Sequence, residues 1–294
     1  MYINYWIQFC SSKNIDSKLA EAKDIVEFLT ELFYNKELSY SAINSARSAL
    51  SSYVVLRTST VEAGAHPVVS KFMRGVFNLR PPKPRYQEVW DVRVVLNCLR
   101  KLSPAGKLSL KALTIKTVTL IALISAQRVQ TLQKLSLKTM KVKEGSITFC
   151  VDELLKQSRP GTIGCKIRIQ EYPPDRRLCP LRYMKAYLKK TSELRNAEEK
   201  VFISLNRPHK EVSTATIARW IKIVLKQSGI DIGQFSAHST RAASTSAARK
   251  AEIPVDVILS AAGWASERTF AKFYHKPRLG ESRFAEAVLQ AGSR

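Results

Sequence analysis

The chain has 294 residues, 45% of them apolar, enough to bury one large core or two ordinary ones. Its 48 Lys+Arg against 24 Asp+Glu give a formal net charge of +24, far beyond what solubility asks for, so a polyanion is the expected partner. Five scattered cysteines (Cys10, Cys98, Cys150, Cys165, Cys179) form no C-x-x-C pair, which argues against a disulfide framework or zinc site and for a reduced intracellular protein.

The opening MYINYWIQFC is apolar but has no basic n-region and no small-residue cleavage site, so it is expected to pack as a first segment. Residues 19–33 place Leu19, Ala22, Ile25, Val26, Leu29, Leu32 and Phe33 at helical spacing, which predicts an amphipathic helix. A second helix is expected from Ser41 to Arg57, and a third over HPVVSKFMRGVFNL with Pro67 in its first turn. Together residues 1–80 read as a small helical domain. The prolines of RPPKPRYQE then end helical structure, and residues 81–87 form the expected linker.

A second domain, residues 88–294, opens with VWDVRVVLNCLRKL. Between Lys111 and Leu137 the pattern predicts an apolar helix, a break near Ser125–Arg128 and another helix. Its run VTLIALISA is too short to span a bilayer, and the basic residues are dispersed among many segments, so nucleic acid is the better polyanion than a membrane surface. SITFCV (146–151) and CKIRIQ (165–170) alternate like a β-hairpin around a Pro/Gly-containing loop. Helices are expected again at PLRYMKAYLKKT, at TATIARWIKIVLKQSG capped by Gly229, at SAHSTRAASTSAARKA, at VDVILSAAG and at ESRFAEAVLQAG. The small residues of AASTSAARKA favour close helix packing over close DNA approach. Charge follows the same division: residues 1–80 carry nine basic against seven acidic residues, residues 81–294 carry 39 against 17.

Arg128 sits at the expected helix break, and HSTR sets His238 and Arg241 three apart, hence on one helix face. Taken singly, each is as well explained by a solvated surface. Taken together with Lys156 in LLKQSRPG, Trp264 in AGWAS and Tyr274 in KFYHKP, they follow the order Arg, Lys, His-x-x-Arg, Trp, Tyr. This pattern resembles the tyrosine recombinase (phage integrase) family over roughly residues 88–280. SAQRVQTL and AGWASERTFAKFYHKP are most similar to the eukaryotic crypton- or DIRS-like mobile-element members. Two departures stand out. Thr131 occupies the place where most relatives carry an acid three residues after the first arginine, so carboxylate support for Arg128 is missing or supplied elsewhere. Trp264 also precedes Tyr274 by ten residues, implying a longer tyrosine loop.

The resemblance implies a mainly α protein with a small β-hairpin sheet, built as a two-domain, C-shaped DNA clamp: a helical core-binding domain plus a catalytic domain. It implies strand cleavage and rejoining through a 3′-phosphotyrosine, with Tyr274 as nucleophile. The chemistry fits the residue types. Two permanently charged guanidinium groups suit the charge that builds on non-bridging phosphate oxygens. Lys156 on the hairpin, with Lys166 as second choice, can protonate the departing 5′ oxygen. His238 can hydrogen-bond the phosphate or take the phenolic proton. Trp264 offers an indole N–H that donates but cannot shuttle a proton. Tyr274 starts as a phenol that ionises near pH ~10 and must be activated in place. No cofactor or metal is called for, since no carboxylate cluster placed for Mg²⁺ stands out.

Backbone-tracking residues are expected at Lys71, Arg74, Arg80, Lys83, Arg85, Arg159, Lys166 and Arg168. The implied partners are duplex DNA and further copies of the chain in a tetramer, with the helix around Glu281–Gln290 docking on a neighbour. The implied role is recombination, integration or transposition of a mobile element, in the nucleus if the host is eukaryotic and in the nucleoid-associated cytoplasm otherwise. A type IB topoisomerase-like nicking and resealing enzyme and an inactive domesticated DNA-binding protein are the alternatives.

Overall fold

The computed structural model describes residues 1–82, 88–155, 158, 164–264 and 267. The chain divides into two compact units, Met1–Pro84 and Arg85–Arg294, with the division inside the proline-rich segment.

The first unit is helical. Its opening segment is α1 (Tyr2–Lys13), which buries Trp6, Phe9 and Cys10. A two-residue strand β1 (Leu19–Ala20) precedes α2 (Ala22–Tyr34), so the helix expected from residue 19 starts three residues later. The cause is a capping box: Glu21 N–H donates to the Asp24 carboxylate at 2.8 Å, fixing the first turn there. α3 (Tyr40–Tyr53) also stops short of Arg57, because β-branched Val54 and Val55 take up extended backbone and β2 (Val55–Leu56) pairs in parallel with β1. α4 (Pro67–Leu79) begins on Pro67, with His66 Nδ1 accepting from the Val68 N–H. Trp6, Phe9 and Phe28 form an aromatic cluster with ring centroids 5.3–5.7 Å apart at the centre of the four helices.

The second unit is built around α6. α5 (Val92–Lys101) starts from an Asp91 N-cap that accepts the Arg93 N–H. α6 (Leu110–Ser125) is buried on every side from Leu113 to Leu123, packed among the later helices α8 (Pro180–Thr191), α9 (Thr214–Gln227) and α10 (Ser239–Lys250). Its threonines survive burial because Thr114, Thr117 and Thr119 each donate to the carbonyl four residues back. α7 (Val129–Gln133) follows the expected break.

Three strands come next. β4 (Ser146–Val151) and β5 (Cys165–Gln170) form the expected hairpin, registered Val151↔Cys165 to Ser146↔Gln170. β3 (Met140–Lys143) extends it to a three-stranded antiparallel sheet that the sequence reading missed. MKVK is a mostly exposed edge strand with lysines at alternate positions, so it has no apolar face to betray it. α9 is followed by its C-cap Ser228 and then Gly229, whose φ of +77° suits glycine, and α11 (Val255–Ala262) is capped by Gly263 in the left-handed region. α10 packs on α5, α6 and α11, which is the packing role expected of its small residues. The helix expected at ESRFAEAVLQAG lies outside the described residues.

Candidate active site

Arg128 is the N-cap of α7, two residues beyond Ala126, whose left-handed backbone (φ 49°) ends α6. Ser125 stabilises this turn, its hydroxyl donating to Ile121 O at 2.7 Å and accepting from the Gln127 N–H at 3.3 Å. The Gln127 side chain, 3% exposed, donates from Nε2 to the carbonyl of Ala261, 134 residues away, at 2.7 Å. Thr131, in the place of the expected acid, is buried and its hydroxyl points to Gln127 Oε1 at 3.4 Å. The Gln127 amide therefore ties this turn to α11 and is itself met by Thr131.

Ala261 leads through Gly263 to Trp264, whose N–H returns to Leu259 O at 2.9 Å. The Trp264 ring packs with Ala126, Ile258 and Ala262. Arg241, fully buried in α10, lays its guanidinium 4.6 Å from the centroid of that ring. Burial pushes the Cys165 thiol up, and the Arg241 charge acts in the opposite sense, which places the start of β5 near the same guanidinium. Segments carrying Arg128, Arg241 and Trp264, and the strand leading out of the Lys156 loop, thus meet in one region.

His238 is the N-cap of α10 with helical backbone and is exposed, whereas Arg241, three residues on, is buried, so the boundary between solvent and interior runs between them. Lys156, Arg159 and Tyr274 lie outside the described residues, as do Lys83 and Arg85. At the rim of the Lys156 loop, Leu155 and Ser158 exchange hydrogen bonds, from the Leu155 N–H to Ser158 Oγ and from the Ser158 N–H to Leu155 O. Glu153 pairs with Lys134 at 2.8 Å and with Lys200, and these hydrogen bonds hold its carboxyl below the ordinary range. Lys134 is the C-cap of α7, so Glu153 links the hairpin rim to the helix that Arg128 begins.

Of the expected backbone-tracking residues, Lys71 and Arg74 are exposed on α4, and Lys166 and Arg168 are exposed on β5. Arg80 is half-buried: its Nη1 donates to Leu38 O at 2.7 Å and Phe33 O at 3.4 Å, and its guanidinium stacks on Phe33, so it also ties α4 to its own domain. Gln127, Glu153, Lys134 and Lys200 were missed by the sequence reading; only Gln127 carried a signal, its adjacency to Arg128. Among the described residues no helix is long and apolar enough to cross a membrane, and no three His, Cys, Asp or Glu are grouped to hold a metal.

The family model for the phage integrase family matches residues 97–278, a span that includes all six signature positions. The chain belongs to the phage integrase family. This recombinase is therefore a tyrosine site-specific DNA recombinase, an enzyme that cleaves and rejoins DNA. Its fold is similar to the XerH site-specific recombinase in a post-cleavage complex with a difH substrate (TM-score 0.59, 14% identity, 93% of this chain and 71% of that one). It is also similar to the Tn1549 transposon integrase in complex with circular intermediate DNA (TM-score 0.56, 12% identity, 92% and 84%). A third similar fold is a lambda integrase tetramer bound to a Holliday junction (TM-score 0.50, 16% identity, 89% and 66%). No curated protein matches the recombinase by sequence.

Proposed function

We propose that this recombinase integrates or excises a mobile element, using Tyr274 as nucleophile within a site completed by Arg128, Lys156, His238, Arg241 and Trp264. The observation that carries this reading is the convergence of the Arg128 turn, Arg241 and Trp264, brought together by the Gln127–Ala261 hydrogen bond and the Arg241–Trp264 stack. A buried, stacked guanidinium is oriented before substrate arrives, which is what stabilising a developing oxyanion requires. In the forward step the Tyr274 oxygen bonds to phosphorus and the P–O5′ bond breaks. His238 takes or relays the phenolic proton and Lys156 gives one to the 5′ oxygen. A 5′-hydroxyl from a second duplex reverses the step, so neither ATP nor metal enters the balance.

Duplex DNA is the partner, and the +22 excess of residues 81–294 supports it. We further assign a tetramer on two duplexes, as a lambda integrase is on a Holliday junction, and a nuclear location in a eukaryotic host. The test is incubation with nicked suicide duplexes that carry candidate element ends. SDS-resistant protein–DNA adducts are expected in EDTA and absent from Tyr274→Phe, which still binds. With two marked duplexes, hybrid products are expected; relaxation of supercoils without exchange, or no adduct from the intact chain, would overturn the proposal.

A further inference from the structure

We propose that Trp90 is a positioning residue for Arg241, acting through a buried hydrogen bond to Ser239 in the first turn of α10. The inference rests on the reading of Arg241 as a phosphate donor. Trp90, 2% exposed, donates from its indole Nε1 to Ser239 Oγ at 2.8 Å, across 149 residues of sequence. Ser239 in turn donates to Ser236 O at 2.7 Å, so its hydroxyl is used in both directions.

This bond gives the first turn of α10 a directional anchor beside its packing on α5, α6 and α11. His238, the N-cap, makes no side-chain cap. The residues that follow are small, and Ala242 and Ala243 pack without polar anchors. An α-helix advances about 100° per residue, so Ser239 and Arg241 project about 200° apart. Ser239 therefore faces Trp90, which lies just ahead of α5, while Arg241 faces Trp264 on the far side. Pinning Ser239 sets the azimuth of the whole turn. A rotation of about 10° would swing a long guanidinium by roughly 1 Å, and misplacement of that order can lower a rate as much as 10²-fold. Ser239 is the second residue of the HSTR motif, whose pattern specifies only the first and fourth.

The test uses the full chain with Trp90→Phe, which keeps an aromatic ring, with Ser239→Ala, the smaller change, and with the double variant. Amide hydrogen exchange over residues 236–242 is read beside adduct yield per bound duplex on a pool of nicked duplexes of randomised sequence. Each single variant should exchange at least tenfold faster over 236–242, with α6 and α9 unchanged, and should form about tenfold less adduct per duplex bound. The double variant should be no worse than the worse single. Wild-type exchange over 236–242, an increase spread evenly over the domain, additive losses, or wild-type adduct yield in a folded single variant would each overturn the proposal. If the parent chain itself forms no adduct, the Tyr274 reading fails, and the exchange measurement still decides whether Trp90 holds this turn.

Discussion

Arg241 is held by its neighbours before any phosphate arrives, which makes the shape of its side chain matter as much as its charge. Stacking over Trp264 uses the planar guanidinium, a geometry an ammonium cannot reproduce. Arg241→Lys should therefore lower adduct formation on the order of 10²–10³-fold, close to the loss expected for deleting a transition-state donor, with DNA affinity little changed; quantified adduct gels and gel shifts measure both. Gln127→Ala removes the tether between the Arg128 turn and Ala261, leaving that carbonyl without this donor. Its expected signature is a stability loss of about 1 kcal/mol in a denaturant titration together with a slower cleavage step. A variant that lost stability but cleaved at the parent rate would show that the tether serves the fold and not the arginine.

Helix α6 carries an ammonium into the centre of its domain. Lys116 is fully buried, donates to the carbonyls of Leu99, Leu102 and Arg177 at 2.6–2.8 Å, and lies 3.7 Å from the Tyr183 ring centroid. It joins the end of α5 to the segment before α8. Burial pushes its pKa down to about 7 from the ordinary 10.5. Between those values the unfolded chain binds more protons at this position than the folded one, so this group makes stability rise as pH increases from about 7 to about 10, with its contribution lowest and flat below 7. Lys116→Met should lose that slope and, by stranding three carbonyls, destabilise by about 2–4 kcal/mol; denaturant titrations at pH 7 and 9 on both proteins read the two effects. Just before β5, a Cβ on Gly164 would collide with Val151 O, beside the Val151–Cys165 pair that ends the β4–β5 ladder. Gly164→Ala should cost about 1–3 kcal/mol and loosen the rim of the Lys156 loop, visible as faster hydrogen exchange in both strands.

Across the whole molecule, the charge imbalance predicts how DNA binding responds to salt. If six to ten phosphates are neutralised, affinity should fall on the order of 10³–10⁵-fold between 50 and 200 mM salt, which a titration of the full chain can measure. Neutralising Lys166 and Arg168 together, both exposed on β5, should flatten that salt slope by about two contacts without altering stability. A steep slope that survives the double change would move the phosphate surface off the sheet.

Much of this was written in local patterns. The helix at α2, the apolar run of α6 with its break before Arg128, and the alternation of β4 and β5 were legible because each rests on a short period or a few turn residues acting on their own backbone. The order of the six signature residues was legible for a different reason, since shared chemistry preserves residue types in sequence. What stayed hidden was everything set by partners far along the chain. The edge strand β3 exists because β4 offers it hydrogen bonds, and β1 and β2 because they find each other across 34 intervening residues. The sequence pattern offered Arg80 as a phosphate contact and did not single out Gln127, Glu153 or Trp90. Their roles depend on which carbonyl, lysine, ring or hydroxyl packing brings into contact, and no periodicity in the amino-acid order encodes that encounter.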